Sequence, residues 1–125
     1  HELTDDELIG IGNMLLIAGH ETTASMLSAS TALLLQHPDQ LAVVRDEPSA
    51  VDGAIEELLR YCAPATTMPR QAAEDMCVRG QDVKEGERVV VSVLVANRDP
   101  EMATTDKSLD ELDVRRPPQR HVTFG

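Results

Sequence analysis

The chain has 125 residues, 42% of them hydrophobic and 26% charged, with a formal net charge of −11; this balance fits one ordinary globular domain and excludes a chain that is disordered or membrane-spanning by composition. One Tyr, one Phe and no Trp imply an aliphatic core without aromatic platforms for stacking bases, and the acidic excess opposes phosphate, so nucleic acid is excluded as a partner. Within these 125 residues no signal peptide and no uninterrupted apolar span of about 20 residues is visible, which decides little if the true N-terminus lies upstream, and no membrane partner is evident.

Thr4 and Glu7 have the spacing of a capping box, with Asp5 and Asp6 adding favourable charge, so a helix is expected to start near Asp5. Pro38 is the next strong breaker, which carries the helix to about Gln36 and a length of roughly 48 Å. That exceeds the roughly 36 Å diameter of a compact ball of this chain length, so the helix is suited to a larger body. Its apolar flanks, Leu8 to Ile17 on one side and Met26 to Leu35 on the other, predict a buried apolar helix. Ala18-Gly19-His20-Glu21-Thr22-Thr23 interrupts it with an acid and two alcohols. An acid there must be paired or functional, and the small Ala18 and Gly19 would let a bulky group lie against the backbone.

Pro38 then opens a short helix through Leu41, Val43 and Val44. Pro48 and Ser49 open another, which carries Ala54, Ile55, Leu58 and Leu59 and stops before Pro64. Within it Glu57 and Arg60 stand three apart and share a face; taken alone, such a pair is most simply a surface ion pair worth about 0–1 kcal/mol. From Met68 the pattern changes to short extended pieces. Met76–Val78, Gly80, Glu85-Gly86-Glu87 and the run Val89–Val93 predict a small antiparallel sheet with a hairpin. Residues 97–118 read as ordered loop.

Cys62 and Cys77 form no CxxC pair and are expected to be buried free thiols. His20-Glu21 lacks the second histidine of a zinc-protease motif, since Ala24 stands at that position, and His1-Glu2 fails likewise at Asp5.

Taken in order, these motifs resemble the cytochrome P-450 family of haem-thiolate monooxygenases, soluble bacterial type. Ala18-Gly19-His20-Glu21-Thr22-Thr23 resembles the oxygen-activating stretch of the family's long central helix, and Glu57-Leu58-Leu59-Arg60 its ExxR helix. Arg70 stands where an arginine meets a haem propionate, Ala96-Asn97-Arg98-Asp99-Pro100 matches a common bacterial segment, Asp113-Val114-Arg115-Arg116 resembles the meander, and His121-Val122-Thr123-Phe124-Gly125 the start of the haem-binding loop. Between Pro100 and Asp113 the pattern departs, with Met102 and Leu112 in place of the usual aromatics.

The resemblance implies a mainly α (α+β) cytochrome P-450 fold fragment with long central helix, ExxR helix, small antiparallel sheet and meander loop, residues 1–125 being part of a single domain that is incomplete at both ends. It implies Glu21 and Thr22 as catalytic residues that relay protons, Thr22 back-bonding to Ala18, with Ala18 and Gly19 facing oxygen and haem. Arg70 and His121 would contact haem, His121 equally well bracing its own loop. Glu57, Arg60 and an arginine of the meander, Arg116 in preference to Arg115, would form a structural network. The axial cysteine is expected beyond Gly125, with neither Cys62 nor Cys77 replacing it, so that the fragment alone is inactive. The implied cofactor is haem b in the full-length protein. The implied partners are dioxygen, a small organic substrate and a ferredoxin/ferredoxin reductase-type electron donor, in the cytoplasm. The competing reading is a non-enzymatic, acidic helical binding or interaction module on a degenerate scaffold of the same family.

Overall fold

The computed structural model describes residues 2–125, and His1 lies outside the described residues. Helix α1 (Asp5–Gln36, 32 residues) begins with a reciprocal cap: Thr4 N donates to Glu7 Oε2 at 2.8 Å, and Glu7 N donates to Thr4 Oγ1 at 3.3 Å. Helix α2 (Pro38–Asp46) follows with proline at its first position, and a 3-10 turn (Pro48–Ala50) leads into α3 (Val51–Cys62). Proline disfavours helical geometry in the residue ahead of it, and Ala63, ahead of Pro64, leaves helical space with φ 41° and ψ 100°.

The extended region carries the expected antiparallel pairing and hairpin, divided between two ladders. Two separate two-stranded antiparallel sheets form, β1 (Thr67–Gln71) with β4 (Arg88–Ser92) and β2 (Met76–Val78) with β3 (Gln81–Val83). Thr67 stands opposite Ser92 and Gln71 opposite Arg88, while Met76 stands opposite Val83 and Val78 opposite Gln81. The ladder breaks where Asp75 takes the Glu85 N–H at 2.9 Å and Lys84 Nζ at 2.8 Å, so that side-chain bonds replace backbone ones. Arg79 and Gly80, at φ 47° and 84°, close the β2–β3 hairpin with the positive φ angles that a type I′ turn requires. Val93 does not end the valine strand. It begins a short helix, α4 (Val93–Ala96), capped by Ser92 Oγ, and its side chain turns inward to 1% exposure.

The core lies around α2, α3 and the loop 97–118, where Val43, Ala54, Leu109, Leu112 and Val114 are buried. Only the C-terminal end of α1 joins it, through Leu34 against Val43, Ala54 and Val114. The expectation of a buried apolar α1 is therefore not met within this chain. No α1 residue is buried, and Leu8, Ile9, Met14, Leu16, Ile17 and Leu27 are exposed. The physical reason is length: the helix outruns the body that anchors its end, and the chain supplies nothing to cover the remainder. Cys77 is likewise exposed, because β2 is a three-residue strand with no buried position, while Cys62 at the end of α3 is half-buried.

Candidate functional site

Ala18, Gly19, Glu21 and Thr22 lie on the uncovered stretch of α1. Thr22 Oγ1 donates to Ala18 O at 2.6 Å, the back-bond that a mid-helix threonine makes when its hydroxyl folds onto the preceding turn. Its oxygen keeps lone pairs free to accept. Leu16, Ile17, His20 and Glu21 line one open groove of about 440 Å³. A Cβ built on Gly19 would meet nothing within 4 Å. The groove is thus largely apolar with Glu21 at its edge, while helical spacing turns Ala18 and Thr22 to the other side of α1. No hydrogen bond or ion pair ties Glu21 to another residue among the described residues, and none brings the α1 stretch to Arg70 or His121.

The second cluster is buried. Arg60 Nε donates to Glu57 Oε2 at 2.7 Å and Nη2 to Oε1 at 2.9 Å, while Arg116 Nε donates to Glu57 Oε1 at 3.1 Å. Helical spacing sets Glu57 and Arg60 on one face of α3; the loop brings Arg116. One carboxylate therefore faces two guanidiniums, and the surplus donors go to backbone carbonyls. Arg60 Nη1 reaches Asn97 O and Leu109 O, each at 2.9 Å, and Arg116 Nη2 reaches Ser108 O and Glu111 O, each at 2.9 Å. Asp113 N adds a bond to Glu57 Oε1 at 3.1 Å. Among the described residues no buried side-chain nitrogen or oxygen lacks a partner, which is the condition under which buried charge is tolerated. Arg115 turns outward to pair with Glu47.

A third group forms around the chain's last residues. Gly125 packs against β1, where its Cβ would lie 3.6 Å from Met68 Sδ. Arg70, two residues along β1, is exposed; its Nη1 reaches only the neighbouring Pro69 O at 3.0 Å and its Nη2 lies 3.9 Å from Met68 Sδ. No carboxylate pairs with it among the described residues, so its paired donors remain free for an anionic group. His121 is differently placed. Its Nε2 lies 3.1 Å from Glu56 Oε2 and its Nδ1 accepts from Thr123 N at 3.3 Å, so both ring nitrogens serve the loop.

Burial pushes the Cys62 thiol up, only partly offset by the nearby Arg98 charge and a hydrogen bond with Ser30. Burial thus disfavours the thiolate form of Cys62. Cys77 sits exposed in the β2–β3 hairpin. An exposed guanidinium with no carboxylate partner among the described residues and a small-residue stretch with open space on α1 each suit an apolar macrocycle with anionic edge groups.

Sequence reasoning assigned no role to Asn97 or Thr123. Asn97 Nδ2 donates to Arg60 O and Thr123 Oγ1, each at 2.9 Å, and Asn97 Oδ1 accepts from Val122 N at 2.8 Å. Arg98 Nη2 donates to Tyr61 O at 3.0 Å and its guanidinium lies 4.5 Å from the Tyr61 ring centroid. These contacts join positions far apart in sequence, and no local periodicity announces them.

The profile of the family described as Cytochrome P450 matches residues 1–102. Cytochrome P450-SU2 of Streptomyces griseolus is 47% identical over 125 residues, covering 99% of this chain and 30% of that protein. The vitamin D3 dihydroxylase of Streptomyces griseolus is 46% identical over 125 residues, covering 99% and 30%. Among solved structures, P450BioI in complex with an acyl carrier protein ligated to hexadec-9Z-enoic acid superposes with a TM-score of 0.88 at 40% identity, covering 99% of this chain and 32% of that one. The chain belongs to the cytochrome P450 family, and it spans about 30% of the length of the curated relatives it matches. Its helices, small sheets and loop are the corresponding part of that fold.

Proposed function

We propose that these residues work within a haem-thiolate monooxygenase that transfers one oxygen atom from dioxygen to a small organic substrate, with α1 forming the oxygen-side wall. The observation that carries the proposal is the Thr22 Oγ1 to Ala18 O bond at 2.6 Å on the uncovered stretch of α1, next to Glu21, whose carboxylate has no partner among the described residues. When bound, haem with a thiolate ligand supplies dioxygen activation and O–O cleavage. The chain's own residues supply the protons and hold the cofactor's edge. With its hydrogen committed to Ala18 O, Thr22 Oγ1 acts as an acceptor, fixing a water or other O–H donor beside α1. Glu21 would take a proton from solvent at its carboxylate and pass it to that water as the water releases one of its own protons on the far side, leaving both groups as they began. Ala18 and Gly19 let the macrocycle approach the helix.

Arg70 would hold a haem propionate through its exposed guanidinium. His121 has a haem-edge role only if Glu56 releases its Nε2; the contacts to Glu56 and Thr123 favour loop bracing. The Glu57–Arg60–Arg116 cluster is structural, since it is closed to solvent and its donors are spent on backbone. The thiolate that would hold the haem iron would come from neither Cys62, half-buried at the end of α3, nor Cys77, exposed in the β2–β3 hairpin. A ferredoxin-type electron donor and a cytoplasmic setting accompany this reading, consistent with the soluble bacterial resemblance; among the described residues no helix is long and apolar enough to cross a membrane. The similar protein called vitamin D3 dihydroxylase supports oxidation of an organic substrate, and nothing comparable favours the non-enzymatic module.

The test is coupling in the full-length protein. Thr22→Ala should keep haem binding but raise the peroxide released per reducing equivalent and lower product, and Glu21→Gln should slow product formation. Unchanged coupling and rate in both would contradict the assigned roles.

A further inference from the structure

We infer that Asn97, acting with Thr123, is the positioning residue that sets the path of residues 121–125; the inference deepens the proposed function and rests on it, since that segment leads toward the haem ligand in that reading. The last carbonyls of a helix have no partner inside it. At the end of α3 two of them are taken by side chains of a distant segment, Arg60 O by Asn97 Nδ2 at 2.9 Å and Tyr61 O by Arg98 Nη2 at 3.0 Å, while Leu59 O, already bonded to Ala63 N at 3.1 Å, accepts a second bond from Thr123 Oγ1 at 3.0 Å. Asn97 and Thr123 are 1% and 3% exposed. The amide orientation is set by its neighbours, with Nδ2 facing a carbonyl and a hydroxyl and Oδ1 facing the Val122 N–H at 2.8 Å.

Asn97 also offers its own carbonyl to Arg60 Nη1 at 2.9 Å. One residue therefore joins the buried Glu57–Arg60 pair to the 121–125 segment: its backbone is held by the guanidinium, and its side chain holds Val122 and Thr123. A small shift of Asn97 moves that segment relative to α3 and to Met68, against which Gly125 packs. Asn97→Asp keeps the acceptor for Val122 but loses both donors, and it turns a carboxylate toward Arg60 O. Thr123→Ser keeps the hydroxyl, and Thr123→Val removes it at nearly constant shape.

The experiment compares the full-length protein with Asn97→Ala, Thr123→Val and Thr123→Ser by native-state amide hydrogen exchange, with and without haem, and by the fraction of bound haem whose ferrous carbon-monoxide complex shows the red-shifted thiolate absorption. Asn97→Ala and Thr123→Val should speed exchange of the Val122 N–H by about tenfold, leave the Asp113 N–H on Glu57 nearly unchanged, and lower the thiolate-type fraction. Thr123→Ser should restore both. Equal acceleration at Val122 and Asp113 would reduce Asn97 to a general stabiliser and overturn the inference, as would unchanged Val122 exchange. If Asn97→Ala does not accumulate folded, the Thr123→Val and Thr123→Ser pair decides. An unsubstituted protein without the thiolate absorption would overturn the proposed function, while exchange in the haem-free protein would still decide the positioning role.

Discussion

Arg60 grips Glu57 at two points, Nε to Oε2 at 2.7 Å and Nη2 to Oε1 at 2.9 Å, with side-chain exposures of 0% and 2%. Removing either partner strands a charge in the interior, at a cost of about 3–5 kcal/mol. In the full-length protein Glu57→Gln and Arg60→Leu should each lower the unfolding free energy by that order and leave little haem-loaded protein. Chemical denaturation and haem content check this, and normal values for both variants would remove the structural role.

Arg70 carries no such penalty, because its guanidinium is exposed and bonded only to Pro69 O, with Met68 Sδ nearby. Arg70→Ala should leave the fold intact, as read by circular dichroism, while haem dissociates faster; Arg70→Lys should recover only part of the retention, because an ammonium cannot make the two-point contact. Equal haem release from Arg70→Ala and the unsubstituted protein would rule out a propionate contact.

Much of the backbone was legible. The Thr4–Glu7 spacing located the start of α1, Pro38 its end, and Pro64 the end of α3, because each is a local rule about backbone groups. Burial was not local. The apolar α1 face reads as core in sequence, yet this chain anchors only the Leu34 end, and Val93 looks like strand although Ser92 caps a helical turn there. Spacing puts Glu57 and Arg60 on one face but cannot tell a buried pair from an exposed one; the carbonyls of Leu109, Ser108 and Glu111 that make burial tolerable lie about fifty residues downstream. Asn97 escaped notice for the same reason, since its partners come from α3 and from residues 122–123.

The Asp113 carboxyl is pushed up by partial burial, but the Lys107 ammonium, the Arg115 N–H and the Arg116 charge outweigh this and hold it below the usual carboxylate range. A depressed folded value means that the unfolded chain binds the proton more readily, so the contribution to stability is present above about pH 4 and is lost as pH falls through the folded value. Asp113→Asn should therefore lower stability near neutral pH and flatten its dependence below about pH 4. Parallel acid-denaturation curves for the two proteins would contradict this.

The uncovered α1 face bears on the behaviour of the 125 residues in isolation. Contiguous apolar patches above a few hundred Å² usually drive association, and Leu8, Ile9, Met14, Leu16, Ile17 and Leu27 are all exposed here. Expressed alone, the chain should aggregate or behave as a molten species that binds hydrophobic dyes. A sharp, reversible, monomeric unfolding transition would show that the face is tolerated.

The central claim is that these residues serve a haem whose thiolate comes from neither of the chain's own cysteines. The most direct measurement is the ferrous carbon-monoxide spectrum of the full-length protein and of its Cys62→Ser and Cys77→Ser variants. The account predicts the red-shifted absorption of thiolate ligation in all three. Its absence from the unsubstituted protein, or its loss on either substitution, would contradict the account.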